Sequence, residues 1–355
     1  MTTATITEHP LKTAWREYQA QNPKARIRDA AAALGVSEAQ LLATDCGESV
    51  TRLAVPASQP GWGQVIEKLP ALGRVTALTR NEHCVHERKG VYREIGFFGQ
   101  MGNVVGPDID LRFFLNRWHL GFAVSEPDGS GDTRNSVQFF DSDGSAVHKV
   151  YLTPDSDREA FDALVAEFQS EDQSPEQSVE KIPAPAAEKP DAAIDVEGFR
   201  AGWRALQDTH EFFGLLRKFG AARQQALRLI GPEFAHRIAA NSAETLLRSA
   251  SASGLPIMVF VGNPGMIQIH TGPVERIISF GEWINVLDAD FNLHLRQSAI
   301  AEAWTVKKPT RDGVVTSVEL FDAAGEFVVQ FFGKRKPGEA ELEDWRTLVA
   351  SLEAA

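Results

Sequence analysis

A histidine at the start of a predicted helix is the residue of this sequence with the most suggestive chemistry. Asp208 followed three residues later by Glu211 is typical of a helix start, and Gly220 supplies a stop, so we predict a helix over 209–219 with His210 in its first turn. The positive end of the helix dipole disfavours protonation of an imidazole, and the neutral imidazole is the form that binds a metal ion. His210 is therefore a candidate metal ligand.

The face of this helix that carries the histidine is predicted to be open. With 3.6 residues per turn, His210, Gly214 and Arg217 follow one face. The neighbouring apolar stripe consists of Phe212, Leu215, Leu216 and Phe219. Because glycine has no side chain, Gly214 leaves room beside the imidazole for a flat ligand. The residues themselves leave open the alternative that a lone histidine only caps the helix or packs in the core.

The composition is that of a globular protein with two domains. The chain has 355 residues, of which 43% are hydrophobic and 24% charged, and this length fits two domains of ordinary size. The net charge of −12 argues against a general binder of nucleic acid or anionic membranes. The sequence has no basic leader followed by an apolar run and no apolar segment of membrane-spanning length, so we predict a cytoplasmic protein without membrane insertion. Cys46 and Cys84 are far apart and indicate neither a disulfide framework nor a thiolate metal cluster.

Internal repetition is the strongest organisational feature. Residues 81–114 align without a gap with residues 263–296 at a constant offset of 182. The identical pairs in that alignment are Asn81/Asn263, Gly90/Gly272, Ile95/Ile277, Phe98/Phe280, Gly99/Gly281, Asn103/Asn285, Val104/Val286, Asp108/Asp290 and Leu111/Leu293. Further out, Trp15 corresponds to Trp203, and FDSDG (140–144) corresponds to FDAAG (321–325). The chain is therefore predicted to be a tandem duplication of one domain.

Each copy is predicted to be an α+β domain in which N-terminal helices pack on an antiparallel β-sheet. Helices are predicted over 11–21, 26–35, 37–44, 65–73 and 157–170 in the first copy, and over 198–207, 209–219, 222–230, 243–254 and 339–355 in the second. The β-rich runs between them carry glycine, Asn-Pro and Asp-Gly turn signals. We predict a first repeat at 1–168, a disordered or extended linker rich in Pro, Ala and Glu at 169–196, and a second repeat at 197–355.

One stretch of the first copy resembles a DNA-binding helix-turn-helix. Residues 25–44 place a Leu-Gly turn between two helical patterns, with Ser37 as the cap of the second. That second helix has no Arg or Lys and carries Glu38, so contacts to bases and phosphates would be scarce. A packed helical hairpin is the favoured interpretation, and nucleic acid is not an expected partner.

Several other histidines have a structural interpretation. His83, Cys84 and His86 are residue types that bind zinc, but in a strand His83 points away from the face that Cys84 and His86 share. We therefore favour polar strand residues near a sheet edge. Trp118, His119 and His148 are likewise predicted to lie on the sheet surface. The sequence contains no nucleophile elbow, phosphate-binding loop, dinucleotide fingerprint or HExxH motif.

The two copies differ at the positions of interest. Counted from the matching tryptophans, Asn22 of the first copy stands where the second copy has His210. In the β-rich part, Arg112 of the first copy stands where the second copy has His294. The candidate metal ligand therefore belongs to the second copy alone.

Four stretches resemble the cytoplasmic haem-utilisation proteins of the haemin-degrading HemS/ChuS/HmuS/PhuS type. They are DTHEFFGLLRKFG (208–220) with the downstream Arg223, ALTRNEHCVHERKG (77–90), IDLRFFLNRWHLGF (109–122) and VVQFFGKRK (328–336). Members of that family are tandem duplications of one domain, and the likeness covers both halves from about residue 10 to residue 350.

The resemblance implies a site for haem b, iron protoporphyrin IX. His210 matches the family's proximal ligand of the haem iron, and Arg112, with Phe114 nearby, matches an arginine over the opposite haem face. The positions that line the pocket or hold the propionates are matched by Arg223, Lys308, Gln330 and Arg335. Haem would then lie between the two halves. Val329 departs from the pattern, because at least some members have a tyrosine there, and a hydrogen bond near the haem edge would be absent.

The resemblance implies two functions of different classes. The first is a carrier that accepts haem from the cytoplasmic side of a haem importer and passes it to a haem oxygenase in iron acquisition. The second is an enzyme that opens the porphyrin and releases iron, with Arg112 as a catalytic residue and an external reductant. We favour the carrier, and the sequence does not separate the two. Haem chemistry suits the residues, because haem needs an apolar slot, a neutral imidazole and cations for two carboxylates.

Overall fold

The chain folds into two compact units, each of which contains a short segment from the other half of the sequence. The computed structural model describes residues 9–56, 60–128, 131–183, 187–336 and 338–352. Within these residues, unit 1 comprises those of Met1–Thr79, Arg88–Pro183 and Asn263–Ile267, and unit 2 comprises those of Arg80–Glu87, Ala184–Gly262 and Gln268–Ala355. Sequence periodicity did not indicate this exchange of segments.

Unit 1 is an α+β domain, as predicted. Its helices are α1 (Pro10–Gln21), α2 (Ile27–Leu34), α3 (Glu38–Ala43), α4 (Gly63–Ile66) and α5 (Arg158–Phe168). The strands of the first half are β1 (Val50–Leu53), β2 (Gly73–Arg80), β3 (Cys84–Gly90), β4 (Ile95–Phe98), β5 (Met101–Val105), β6 (Asp110–Phe114), β7 (Leu120–Pro127), β8 (Thr133–Phe140) and β9 (Ala146–Ser156). Strands pair antiparallel in the order β1-β7-β8-β9-β2, and β4, β5 and β6 form a meander.

Unit 2 repeats this architecture. Its helices are α6 (Val196–Arg204), α7 (Glu211–Phe219), α8 (Arg223–Ile230), α9 (Ser242–Ser253) and α10 (Glu343–Ser351). The strands of the second half are β10 (Ala235–Ile238), β11 (Ile257–Asn263), β12 (Met266–Gly272), β13 (Ile277–Phe280), β14 (Trp283–Leu287), β15 (Phe291–Arg296), β16 (Glu302–Thr310), β17 (Gly313–Phe321) and β18 (Phe327–Gly333). The antiparallel order is β10-β16-β17-β18-β11, with β13, β14 and β15 as the matching meander.

Two asparagines that match at the repeat offset anchor the exchanged segments. In unit 2, the side chain of Asn81 donates to the carbonyls of Gly262 (3.1 Å) and Val328 (2.7 Å). In unit 1, the side chain of Asn263 donates to the carbonyl of Val147 (2.8 Å). The segments also complete the cores, because Cys84 is buried in the apolar core of unit 2 and Met266 in that of unit 1. Each unit therefore depends on residues from the other half of the chain.

The segment that resembles a helix-turn-helix is a packed hairpin. Gly35 ends α2 with a positive φ of 70°, a conformation that suits glycine, and Ser37 caps α3 by accepting from the backbone N–H of Gln40 at 3.2 Å. Ala30, Ala31 and Leu41 form a small apolar cluster between the two helices. Glu38, on the helix that would read DNA, is buried in an ion pair with Lys149. The packed hairpin was the favoured prediction.

Over residues 169–183 the linker is extended, whereas Asp191–Ala193 form a 3-10 turn and α6 begins at Val196, the last residue assigned to the linker. Residues 169–183 contain one isolated bridge, Leu53 to Gln169, and no helix or longer strand. Arg52 holds this segment: its guanidinium donates to the carbonyls of Ser174 (2.8 Å) and Glu176 (2.7 Å), and its backbone N–H donates to Gln173 (2.8 Å). Residues 184–186 lie outside the described part of the chain.

Three elements differ from the sequence-based prediction. The helix predicted over 65–73 is two short turns, α4 and a 3-10 turn at Leu69–Leu72, because Pro70 lacks the N–H that a continuous helix needs. The short strands β1 and β10 were not predicted, since four residues carry too little periodicity to identify a strand.

Among the described residues, no helix combines the length and apolar character needed to cross a lipid bilayer.

Candidate functional site

The start of α7 presents His210 to solvent. The helix begins at Glu211 rather than at Thr209 as predicted, so His210 precedes the helix instead of lying in its first turn. The physical reason is an Asx turn, in which the Asp208 carboxylate accepts from the backbone N–H of His210 at 2.8 Å. Glu211 closes the turn by accepting from the backbone N–H of Gln207 at 2.9 Å. The His210 side chain is 92% exposed.

Asp208 also orients the His210 imidazole. Its Oδ1 atom lies 2.6 Å from Nδ1 of the ring, which leaves Nε2 as the nitrogen for an external ligand. The backbone N–H of His210 and, after it, the imidazole lower the pKa of the Asp208 carboxyl. Of the two imidazole tautomers, the carboxylate at Nδ1 favours the one with its proton on Nδ1 and its lone pair on Nε2. This is the carboxylate–histidine arrangement that supports metal-binding histidines in proteins.

The surface beside His210 is open and partly aromatic. A Cβ atom added to Gly214 would meet no atom within 4 Å, and Arg217 is exposed one turn further on. Phe213 is 52% exposed, which is unusual for so large an apolar side chain. Phe213 was not among the predicted site residues, although its position outside the apolar stripe of α7 was the available signal.

A buried charge cluster in unit 2 lies against α7. Glu319 of β17 is fully buried and accepts from Nε (2.9 Å) and Nη2 (2.8 Å) of Arg223 at the start of α8. Its other carboxylate oxygen accepts from Lys308 of β16 (2.8 Å) and Gln330 of β18 (2.7 Å). The Lys308 ammonium lies 4.5 Å from the ring centre of Phe212 on α7. The structure thus brings three predicted residues together around a glutamate that sequence reasoning missed.

The charges of this cluster do not cancel. Arg223 and Lys308 are two cations that share the one carboxylate of Glu319. Burial alone would raise the pKa of Glu319, but the two cations lower it to about 2, so this carboxyl stays ionised. Burial lowers the pKa of Lys308 below its ordinary value, and Glu319 opposes that shift. With Lys308 protonated, the cluster carries one net positive charge.

Arg335 lies just after β18. Its guanidinium is 3.7 Å from Asp312, and its Nε atom is buried without a hydrogen-bond partner among the described residues. Val329, the position that departs from the family pattern, is buried in the apolar core of unit 2. Its side chain has no polar atom and packs against other apolar residues of that core.

Arg112 and Phe114 lie in unit 1, on β6. Arg112 pairs with Asn103 of β5 in the sheet, and its guanidinium contacts the carboxylate of Asp110 and the carbonyl of Leu111 (2.8 Å). Burial raises the pKa of the Asp110 carboxyl, and the positive charge of Arg112 opposes that shift. Arg112 remains 38% exposed, and Phe114 is half-buried.

Several predictions for the other histidines were wrong. Cys84 and His86 are buried in the interior instead of lying near a sheet edge, and Trp118 and His148 are buried instead of lying on the sheet surface. His119 is partly exposed beside Asp141, at 3.2 Å. Within the part of the chain that the structure describes, His, Cys, Asp and Glu form no group of three or more that could hold a metal ion.

His148 belongs to a buried polar network in unit 1. Its Nε2 atom lies 2.6 Å from the Tyr92 hydroxyl, and its Nδ1 atom lies 2.9 Å from the Thr79 hydroxyl. Burial lowers the pKa of His148 to about 3, so the ring is neutral, and burial also raises the pKa of Tyr92. The network is sealed in the core, which makes it a structural feature of unit 1.

Together, the fold and the site define a class of protein: a duplicated α+β protein in which an exposed, carboxylate-oriented imidazole borders an open aromatic surface with a buried cation pair close to it. Such a site fits a flat, anionic ligand that carries its own metal. The chain belongs to the HemS family, because the sequence pattern described as "Haemin-degrading HemS.ChuX domain" matches residues 35–168 and again residues 220–352. The resemblance seen in the sequence is thereby confirmed.

Three relatives illustrate the range of the family. The chain is 40% identical to "Hemin transport protein HmuS" of Yersinia pestis over 338 residues, which cover 94% of each chain. It is 50% identical in sequence to PhuS, a heme-binding protein from Pseudomonas aeruginosa. The crystal structure of holo-PhuS matches with a TM-score of 0.93 over 97% of this chain and 99% of PhuS. The chain is 35% identical to the "heme degrading enzyme ChuS" of Escherichia coli O157:H7, with a TM-score of 0.87 and coverage of 96% and 98%.

Proposed function

We propose that this protein binds haem b in the cytoplasm through His210 and passes it to a haem oxygenase, as part of haem uptake and iron acquisition. The observation that carries the proposal is the exposed His210 imidazole. Its Nδ1 atom contacts the Asp208 carboxylate, which leaves Nε2 to coordinate a metal ion. The proposal is supported by the likeness to HmuS, a hemin transport protein, and to PhuS, a heme-binding protein.

The surroundings of His210 suit a porphyrin. Gly214 leaves space for a flat ring system, and Phe213 offers an exposed aromatic surface on the same helix. The cations Arg217, Arg223 and Lys308 in unit 2 suit the two carboxylates of haem, and Gln330 and Arg335 are further candidates in the same unit. Arg112 and Phe114 of unit 1 are proposed as further haem-binding residues.

A single protein ligand is what a carrier needs. A metal held by one exposed imidazole is released by breaking one coordination bond, whereas a site closed by several protein ligands retains its metal. The expected acceptor is a haem oxygenase, and the expected donor is the cytoplasmic side of a haem importer.

The test is a titration of the purified chain with haemin, followed in the Soret region. His210→Ala should shift the Soret band and weaken haem binding. Asp208→Asn should retain the coordinated band but lower the affinity by about tenfold or more, since partners of ligating histidines typically contribute that much. His236→Ala, a half-buried histidine of β10, is the control. An unchanged spectrum and affinity in His210→Ala would remove this residue from the proposed role.

The alternative function is haem degradation, and the likeness to ChuS favours it. In that case Arg112 would act as a hydrogen-bond donor at the reacting face, and electrons would come from an external reductant. The haem complex should be incubated with reductant and oxygen in the presence of catalase. Tetrapyrrole cleavage that survives catalase, with an identified product, would support the enzyme. Loss of all turnover would support the carrier.

A further inference from the structure

The two units bury an ion pair at matching places, but only one of these clusters is electrically balanced. In unit 1, Glu38 of α3 pairs with Lys149 of β9, one charge against one. Lys149 and Gln330 are equivalent, because each pairs with the corresponding strand position, Leu78 of β2 or Phe260 of β11. Unit 2 has the neutral Gln330 at that place and draws two cations to Glu319 instead.

The geometry of Glu319 fixes how Arg223 is presented. One carboxylate oxygen accepts from both Nε and Nη2 of Arg223, so the guanidinium is held by one edge and Nη1 is the nitrogen that Glu319 does not engage. The guanidinium stacks on Phe327, with 4.2 Å to the ring centre, and lies 5.7 Å from the ring centre of the exposed Phe213. The side chain retains 17% exposure, so Arg223 is not sealed in the core as Glu319 is.

We propose that Glu319 is a positioning residue that prepares Arg223 to receive one carboxylate of the ligand bound at His210, an inference that rests on the proposed function. With Lys308 protonated, two cations share the single carboxylate of Glu319, and one further carboxylate balances the remaining positive charge. Glu319 also holds Nζ of Lys308 at 2.8 Å, where Lys308 lies beneath Phe212. Without that carboxylate, two cations would repel each other in a buried site, and Arg223 would lose the contact that sets its orientation.

The test compares haemin with haemin dimethyl ester, in which both carboxylates are replaced by neutral methyl esters. Their dissociation constants are measured by Soret titration in the same detergent. In Glu319→Gln, haemin should bind about tenfold more weakly, the scale of one charge-assisted hydrogen bond, whereas ester binding should change less than about twofold. The ratio of the ester Kd to the haemin Kd should therefore fall about tenfold. A general loss of structure would not produce this fall, because it weakens the binding of both ligands.

The matched control is Glu38→Gln, which breaks the buried pair of unit 1 and should leave the ratio unchanged. If Glu319→Gln does not fold, Glu319→Gln combined with Lys308→Met removes the buried ammonium as well, and the ratio should fall as in the single variant. An unchanged or larger ratio in either variant would overturn the proposal. A wild-type ratio near one would also overturn the proposal. In that case a Soret shift in His210→Ala, seen with the ester as well as with haemin, would still support His210 as the iron ligand. A wild-type chain that binds neither ligand would overturn the proposed function as well.

Discussion

The buried histidine of unit 1 should make this protein sensitive to acid. In the folded state, burial lowers the pKa of His148 to about 3, and in an unfolded chain the same group titrates near 6.5. Well above pH 6.5 the imidazole is neutral in both states. Below that pH the unfolded chain binds a proton that the folded chain does not accept until about pH 3. Stability should therefore fall as the pH drops through this window.

The size of the effect follows from the width of the window. One proton taken up only by the unfolded chain costs about 1.4 kcal/mol per pH unit, so lowering the pH from 6.5 to 5.0 should destabilise unit 1 by about 2 kcal/mol. For a unit of this size, that corresponds to a loss of about 4 to 8 °C in Tm. The full span to pH 3 corresponds to about 5 kcal/mol, of the order of the whole stability of many domains.

Unit 2 shows how to remove this sensitivity. The positions that match Thr79, Tyr92 and His148 are Val261, Val274 and Val329, all buried in its apolar core. A triple variant, Thr79→Val with Tyr92→Phe and His148→Val, removes every polar group of the network. His148→Val alone would leave the Tyr92 and Thr79 hydroxyls buried without partners, at a cost of about 1–3 kcal/mol at any pH.

The assay is calorimetric unfolding of the full chain at pH 6.5 and pH 5.0. The difference in Tm between the two conditions should shrink by about 4 to 8 °C in the triple variant relative to the wild type. His236→Val, which removes a half-buried histidine of unit 2, should leave that difference as it is in the wild type. If the triple variant loses as much stability as the wild type between the two pH values, His148 is not the group that binds the proton on unfolding.

Two further predictions concern residues of unit 1. Arg112→Ala should change the ferric absorption spectrum of the haem complex more than its affinity, and a spectrum identical to the wild type would count against a role at the haem. Arg52→Ala should speed cleavage after Glu176 by a Glu-specific protease roughly tenfold or more, because the bonds of the guanidinium to the carbonyls of Ser174 and Glu176 are lost. Arg158→Ala, which removes an exposed ion pair on α5, is the control, and equal cleavage rates in both variants would show that Arg52 does not hold the linker.

Repetition and helix chemistry were readable from the sequence because both are local signals. The constant offset identified the duplication, and capping residues such as Ser37 located α3 to within one residue. The start of α7 was displaced by two residues because the Asp208 side chain can serve a helix cap or an Asx turn, and residue types alone do not distinguish these. His210 was identified because its position at the start of a predicted helix is itself a local signal.

Long-range pairing set the limit of prediction. Nothing local in β17 shows that Glu319 faces two cations from other elements, one 96 residues and the other 11 residues away along the chain. His148 was expected on the surface because one polar residue in a strand usually marks its exposed face, whereas Tyr92 and Thr79 supply partners that allow its burial. The exchange of segments was missed for the same reason, since Asn81 and Asn263 matched each other in sequence without revealing what they bind.

The exchanged segments bear on how the protein is made. Met266 is part of the apolar core of unit 1, yet it is encoded far beyond the rest of that unit, which ends at Pro183. At about 5–20 residues per second, a ribosome needs roughly 4 to 17 s to add the 84 residues from Pro183 to Ile267 (267 − 183). The first unit therefore cannot complete its core on the ribosome until much of the second has been synthesised, and a fragment cut at the linker would lack that core residue.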